Sequence, residues 1–292
     1  MLSEKSLRLL EPIRAYRKEC EKIVPYGTRK TISGVECILH APKKTRNNVP
    51  VVFLMHGGAW IGGDAVLVDS LAKTLSDGAD VFVVNVNYTK LDQKLYPNPL
   101  NEILSVVSHF KENHTIYGID PEKCILMGMS AGGHLAGCAS ILAKDKGISI
   151  VRQILVYPYL DWTGKTENFL EKYGIAGIPF EEIKKIYFED MDLGNKYISP
   201  ICACDDELVG IAPADIIACG KDVLRPHAVR YYEKLSAIGI LASIKEYKCA
   251  LHGFLEVNRP DYTPGEHEAK NPEQASYTRD LENYLIEILK DI

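Results

Sequence analysis

The stretch Gly128-Met129-Ser130-Ala131-Gly132-Gly133 decides how the rest of the chain is read. It lies between an apolar run, Cys124-Ile125-Leu126-Met127, and a small-residue segment from His134 to Ala143. That order fits a Gly-x-Ser-x-Gly turn, in which a strand passes sharply into a helix and holds a serine hydroxyl clear of the backbone. Ser130 then occupies a strained conformation, and side chains at 128 and 132 would collide with the neighbouring strand and helix. The helix that follows aims its first N–H groups and its positive dipole end at whatever Ser130 attacks. Glycine and serine are common loop residues, so the pentapeptide gains weight only from partners elsewhere in the chain.

Outward from this turn, continuous apolar runs mark strands buried on both faces. They are Val51 to Met55, Val81 to Val86, Ile154 to Tyr157 and Asp215 to Cys219, with Val35 to Leu39 before them and Ala242 to Tyr247 after. Helical patterns alternate with them: 6–23, 66–75, 101–113, 226–238 and 272–290. The expected fold class is therefore α/β, a mainly parallel central sheet with helices on both faces. Alternation breaks between Asp161 and Pro200, where Phe169 to Tyr173, a turn from Gly174 to Gly177 and a helix-like Phe180 to Phe188 read as an insertion. The expected organisation is a cap helix and lead-in strand over 1–42 and a catalytic domain over 43–292. A helical cap is completed by an insertion at 162–200.

Composition narrows the function classes. At 292 residues, with 46% hydrophobic and 25% charged residues, the chain has the balance of an ordinary globular protein. A net charge of −5 argues against nucleic acid as a partner, and the one basic cluster, Lys43-Lys44-Thr45-Arg46, reads as a solvated loop. No stretch reaches the roughly 20 apolar residues of a membrane span. Eight cysteines without an export signal point to reduced thiols and a cytoplasmic address. Cys37, Cys124 and Cys219 lie in apolar strands, and Cys202-x-Cys204 lacks the second pair a metal site needs. No metal is expected there.

Three further segments each follow a predicted strand, where open parallel sheets place their sites. His56-Gly57-Gly58-Ala59-Trp60 offers two consecutive glycines whose backbone can approach a reacting carbonyl. The N–H groups of Gly57 and Gly58, with that of Ala131, would form an oxyanion hole. His56 reads as a turn-stabilising residue rather than a base. Gly220-Lys221-Asp222 offers a carboxylate, and Leu251-His252-Gly253 an imidazole. Ser130, Asp222, His252 is the chain order of an α/β-hydrolase triad, with nucleophile, orienting acid and general acid/base in turn. Asp161 and Asp215 are rival acids, Asp215 poorly placed inside its strand. Trp60, Tyr88, Phe169 and Phe254 are candidates for lining an acyl pocket, ordinary packing being the alternative.

These motifs, with Tyr157-Pro158-x-Leu160-Asp161, Asp222-x-Leu224 and His252-Gly253-Phe254, resemble the hormone-sensitive-lipase-like family of α/β-hydrolases over roughly residues 50 to 255. Within it the chain is similar to bacterial acetyl esterases and short-chain carboxylesterases. The resemblance implies hydrolysis of small acyl esters through an acyl-serine intermediate, with a small-molecule ester as the partner and no metal or organic cofactor. An arylformamidase-type amide hydrolase uses a similar triad, and a non-catalytic ligand-binding relative would have lost a triad member. An exposed edge strand would allow a homodimer by sheet extension. The chain departs from the family pattern at Met129, where an acid is usual, and at Arg225-Pro226. It departs again at Thr89-Lys90-Leu91, where the family carries an arginine. These changes bear on substrate preference more than on reaction type.

Overall fold

Val51, Phe53 and Met55 point to one side of a strand, Val52 and Leu54 to the other, and all five are fully buried. A strand with no polar face must be covered on both sides, and this one sits at the centre of the sheet. The computed structural model describes residues 2–44, 47–166, 174–257 and 272–292. Its eight strands run β1 (Thr28–Ile32), β2 (Val35–His40), β3 (Val49–Met55), β4 (Phe82–Val86), β5 (Ile119–Met129), β6 (Arg152–Val156), β7 (Ala214–Cys219) and β8 (Ala242–Tyr247). They are ordered β1-β2-β4-β3-β5-β6-β7-β8. The first two pairings, β1 with β2 and β2 with β4, are antiparallel, and β4 through β8 pair in parallel.

The helices are α1 (Glu4–Glu21), α2 (Asp69–Ala79), α3 (Asn98–Glu112), α4 (Ala131–Asp145), α5 (Phe180–Tyr187), α6 (Arg225–Ala237) and α7 (Pro272–Lys290), with single turns between. One core lies under α3, α4 and α6 and includes Phe53, Phe110 and Leu135. The second, under α2 and α7, is built on Val52, Leu54, Leu75 and Leu285. The mainly parallel sheet between two helical layers is the one the apolar runs predict. Strand β1 is an addition to that reading. Its residues, Thr-Arg-Lys-Thr-Ile, bury only Ile32, so it carries no apolar signal.

Helix α1 lies against the mouth of the sheet through charge. Its first turn is capped by Ser3 Oγ, which accepts from the Ser6 amide at 3.2 Å, and the Ser3 amide donates to Glu182 of α5 at 2.9 Å. Three to four turns further on, Arg17 donates from both terminal guanidinium nitrogens to Asp92 at 2.8 Å, and Arg14 adds a bond of 2.7 Å. Burial alone would push the Asp92 carboxyl up, but these hydrogen bonds outweigh it and hold the group below its ordinary range. A depressed carboxyl contributes stability above its unfolded pKa of about 3.9, lost as pH falls through the folded value. Asp92→Asn should therefore cost about 3 kcal/mol, the cost of breaking a buried pair. Urea denaturation checks that figure. Limited proteolysis should cut the variant within α1 at neutral pH, and the native protein there only once pH drops below about 4.

Candidate active site

Ser130 ends β5 and begins α4 with φ 54° and ψ −116°, a conformation side-chain-bearing residues rarely hold. It persists because the chain on either side is locked. A Cβ on Gly128 would lie 2.1 Å from the Gly132 carbonyl oxygen, and a Cβ on Gly132 would lie 2.1 Å from that of Met55. Glycine at these positions is what lets the turn fold onto itself and onto β3. The Ser130 amide donates to Val156 O at 2.9 Å, tying the turn to β6 as well.

The partners come from the ends of β7 and β8. His252 Nε2 lies 2.8 Å from Ser130 Oγ, and His252 Nδ1 lies 2.6 Å from Asp222 Oδ2. Acceptance by the carboxylate sets the hydrogen on Nδ1 and leaves Nε2 to accept from the serine hydroxyl. Asp222 has a side chain only 1% exposed, against 39% for His252, so the charge sits under the imidazole and away from solvent. Its second oxygen accepts from the Leu224 amide at 2.9 Å. The rival acids are engaged elsewhere. Asp161 takes the hydroxyls and amides of Thr163 and Thr166, and Asp215 takes Ser243 Oγ at 2.7 Å.

The loop after β3 faces the serine. A Cβ on Gly57 would lie 3.6 Å from Ser130 Cβ, and Gly58 holds φ 122°. The amides of Gly57, Gly58 and Ala131 donate to no group among the described residues, and Gly57 and Gly58 line one cavity with Ser130. His56 is buried, with its Nδ1 2.5 Å from Gly57 O and its Nε2 3.0 Å from Lys90 Nζ. This agrees with a structural part in the turn.

Two cavities meet at Ser130 and His252. One, of about 420 Å³, is apolar and lined by Ala59, Trp60, Tyr159, Ile175, Val223 and Leu224. The other, of about 350 Å³, is bordered by Gly57, Gly58, Asp64, Glu256 and Tyr16 of α1. Trp60 thus edges the site, held by its Nε1 donating to His134 Nδ1 at 3.0 Å. Tyr88 and Phe254 do not, which corrects their assignment to an acyl pocket. Tyr88 stacks on His56 at 4.4 Å and donates to His56 O, filling space beneath the loop. Phe254 packs against Tyr157, Tyr247 and Tyr277 in the second core. Phe169 and its neighbours to Tyr173 lie outside the described residues.

Sequence reasoning missed Glu256 and Tyr16. Tyr157 donates to Glu256 Oε2, and the tyrosine ring meets His252 edge-on at 5.0 Å. Four residues past a candidate histidine and beside the apolar pair Phe254-Leu255, Glu256 carries no signal of its own. The cysteines of the apolar strands are inert. Burial pushes the Cys37 thiol up to about 12 and that of Cys124 up to about 11.

The close approach of α4 to β3 gives a paired prediction. Gly132→Ala should cost about 1–3 kcal/mol, as overpacking does, because backbone on both sides must move. Gly137→Ala, whose Cβ would meet Leu160 at an ordinary 3.4 Å in the same helix, should gain about 0.5–1 kcal/mol. Thermal unfolding of the two variants separates crowding at the turn from helix propensity.

Comparison with known proteins places this geometry. A family model described as alpha/beta hydrolase fold matches residues 52–256, a span that holds Ser130, Asp222, His252 and both glycine-rich loops. An arylesterase of Saccharolobus solfataricus is 29% identical over 222 residues, covering 74% of this chain and 72% of its own. Carboxylesterase NlhH of Mycobacterium tuberculosis is 28% identical over 230 residues, covering 77% and 72%. The solved structure of a Pyrobaculum calidifontis esterase superposes with a TM-score of 0.77 over 100% of this chain and 99% of its own, at 21% identity. Among the described residues, no helix is long and apolar enough to cross a membrane. With its family model matched across both loops of the site and the sheet between them, the chain is a hydrolase belonging to the α/β-hydrolase family.

Proposed function

We propose that the protein is a serine carboxylesterase acting on small acyl esters. The observation that carries this reading is the hydrogen-bonded chain Ser130–His252–Asp222 at the junction of the two cavities. His252 Nε2 accepts the Ser130 proton as Oγ bonds to the ester carbonyl carbon. The charge left on the carbonyl oxygen is taken by the amides of Gly57, Gly58 and Ala131. The imidazolium, held by Asp222, then protonates the departing alcohol as the C–O bond breaks. Water attacks the acyl-serine by the same exchange and releases the acid.

The apolar cavity suits a hydrocarbon group, while the second cavity, with Asp64 and Glu256 on its wall, suits a half-substrate that donates hydrogen bonds and carries no negative charge. An arylesterase and a carboxylesterase among the relatives favour an ester over an amide.

The test is hydrolysis of p-nitrophenyl esters from acetyl to decanoyl, beside a formylated aromatic amine. Acetyl or butyryl esters should turn over fastest. Ser130→Ala should lower kcat by about 10⁴-fold or more, and Asp222→Asn by about 10⁴-fold. No turnover of any ester by the folded protein would overturn the reading, and faster hydrolysis of the formamide would replace it with an amide hydrolase.

A further inference from the structure

Beneath the loop that carries Gly57 and Gly58 lie two buried bases the mechanism does not use. Lys90 is 3% exposed and His56 1%. Lys90 Nζ lies 3.0 Å from His56 Nε2 and 3.1 Å from Asn87 Oδ1, and it also donates to Tyr88 O. On the far side of the ring, His56 Nδ1 meets Gly57 O at 2.5 Å. Nothing blocks that contact, because Gly63 packs over it without a Cβ. A Cβ there would lie 2.2 Å from Gly57 O and 2.6 Å from Nδ1.

The charge on Lys90 decides which nitrogen of His56 holds its hydrogen. An ammonium has three hydrogens and no acceptor, so all three neighbours must accept. Nε2 is then the bare nitrogen, and Nδ1–H donates to Gly57 O. When Lys90 gives one proton to solvent, its two remaining hydrogens serve the carbonyls of Tyr88 and Asn87, and its lone pair faces Nε2. That arrangement favours the imidazole hydrogen on Nε2, which sets a bare nitrogen against Gly57 O and must lengthen their 2.5 Å contact. Gly57 O and Gly58 N–H are the two ends of one planar peptide. A donor on the oxygen polarises the N–H at the other end and fixes its direction.

We infer that Lys90 is a positioning residue for the oxyanion hole, acting through His56 to orient and polarise the Gly57–Gly58 peptide that receives the developing charge. This rests on the reading of the Gly58 amide as an oxyanion donor. Burial is the main force against the ammonium and Arg17 adds to it, while Asp64, Glu102 and Asp92 favour it. Together they bring Lys90 down to about 7. Burial first, then Lys90 itself, holds His56 well below its ordinary value, so the ring between them is neutral. The active form is the ammonium, present below about 7 and lost as pH rises.

Two measurements test this. Lys90→Met, assayed with p-nitrophenyl butyrate from pH 5 to 9, should lose tenfold or more in kcat, short of the ~10²–10³ that follows loss of a whole donor, with KM within about twofold. The alkaline limb that Lys90 gives the native profile should vanish. In the native protein, ¹⁵N resonances of labelled imidazoles should show the His56 hydrogen on Nδ1 at low pH and on Nε2 above about 7, which needs no variant to fold. Native kcat and an unchanged profile in Lys90→Met, or a His56 tautomer indifferent to pH, would overturn the inference. Full activity in Ser130→Ala would sink the triad reading instead, and the imidazole measurement would still judge the Lys90–His56 pair.

Discussion

The contact on which the site depends is between bare backbone: Gly132 at the start of α4 against the carbonyls of Met55 and His56 at the end of β3. At Gly132 no side chain separates the turn that holds the serine from the glycine loop after β3. Their separation is therefore set by van der Waals contact and cannot drift, as it could if a flexible residue stood between them. The same closeness strains Ser130, and the strain is held by the parallel pairing of β5 with β3 on one side and β6 on the other. Catalytic geometry here is a property of the sheet.

The acid and the base have looser supports. Asp222 and His252 sit on loops after β7 and β8, toward the edge of the sheet, and what fixes them is hydrogen bonding. One carboxylate oxygen is fixed by the Leu224 amide, the other by the imidazole. This division fits their tasks. A nucleophile and its oxyanion donors must be held to a fraction of an ångström, whereas a proton carrier needs only an oriented ring within hydrogen-bonding reach.

How much of this was legible in the sequence follows from what each feature requires. Strands β3 to β7 announce themselves because burial on both faces demands unbroken apolar runs. The turn at Ser130 does so because only glycine tolerates its contacts. Strand β1 was hidden because an edge strand needs to bury one residue in five. Asp222 could be preferred over Asp161 and Asp215 by its position past a strand end, but it took distances to show where the other two carboxylates are spent. Tyr88 and Phe254 were misplaced for a physical reason. Both flank glycine-rich motifs, and the residue next to a tight turn is as often its packing as its surface. Lys90 was noted only as a departure from a family pattern, since nothing in a sequence says that a lysine is buried against a histidine 34 positions earlier.

The unequal walls of the two cavities carry the argument one step further. The carboxyl groups of Glu256 and Asp64 border the cavity on the side of the glycine loop, where a negative charge on them would oppose one developing at the reacting carbonyl. Burial does not remove that opposition, and a low dielectric strengthens it. On the proposed reading, positive ends of dipoles are set against it by three amides, the N-terminus of α4 and, beneath the loop, Lys90 in its charged form. A hydrolase with an uncharged wall there would need less. On the same reading, the acidic wall and the basic support beneath the glycines belong together, the donors offsetting the carboxyl groups that would turn anionic substrates away.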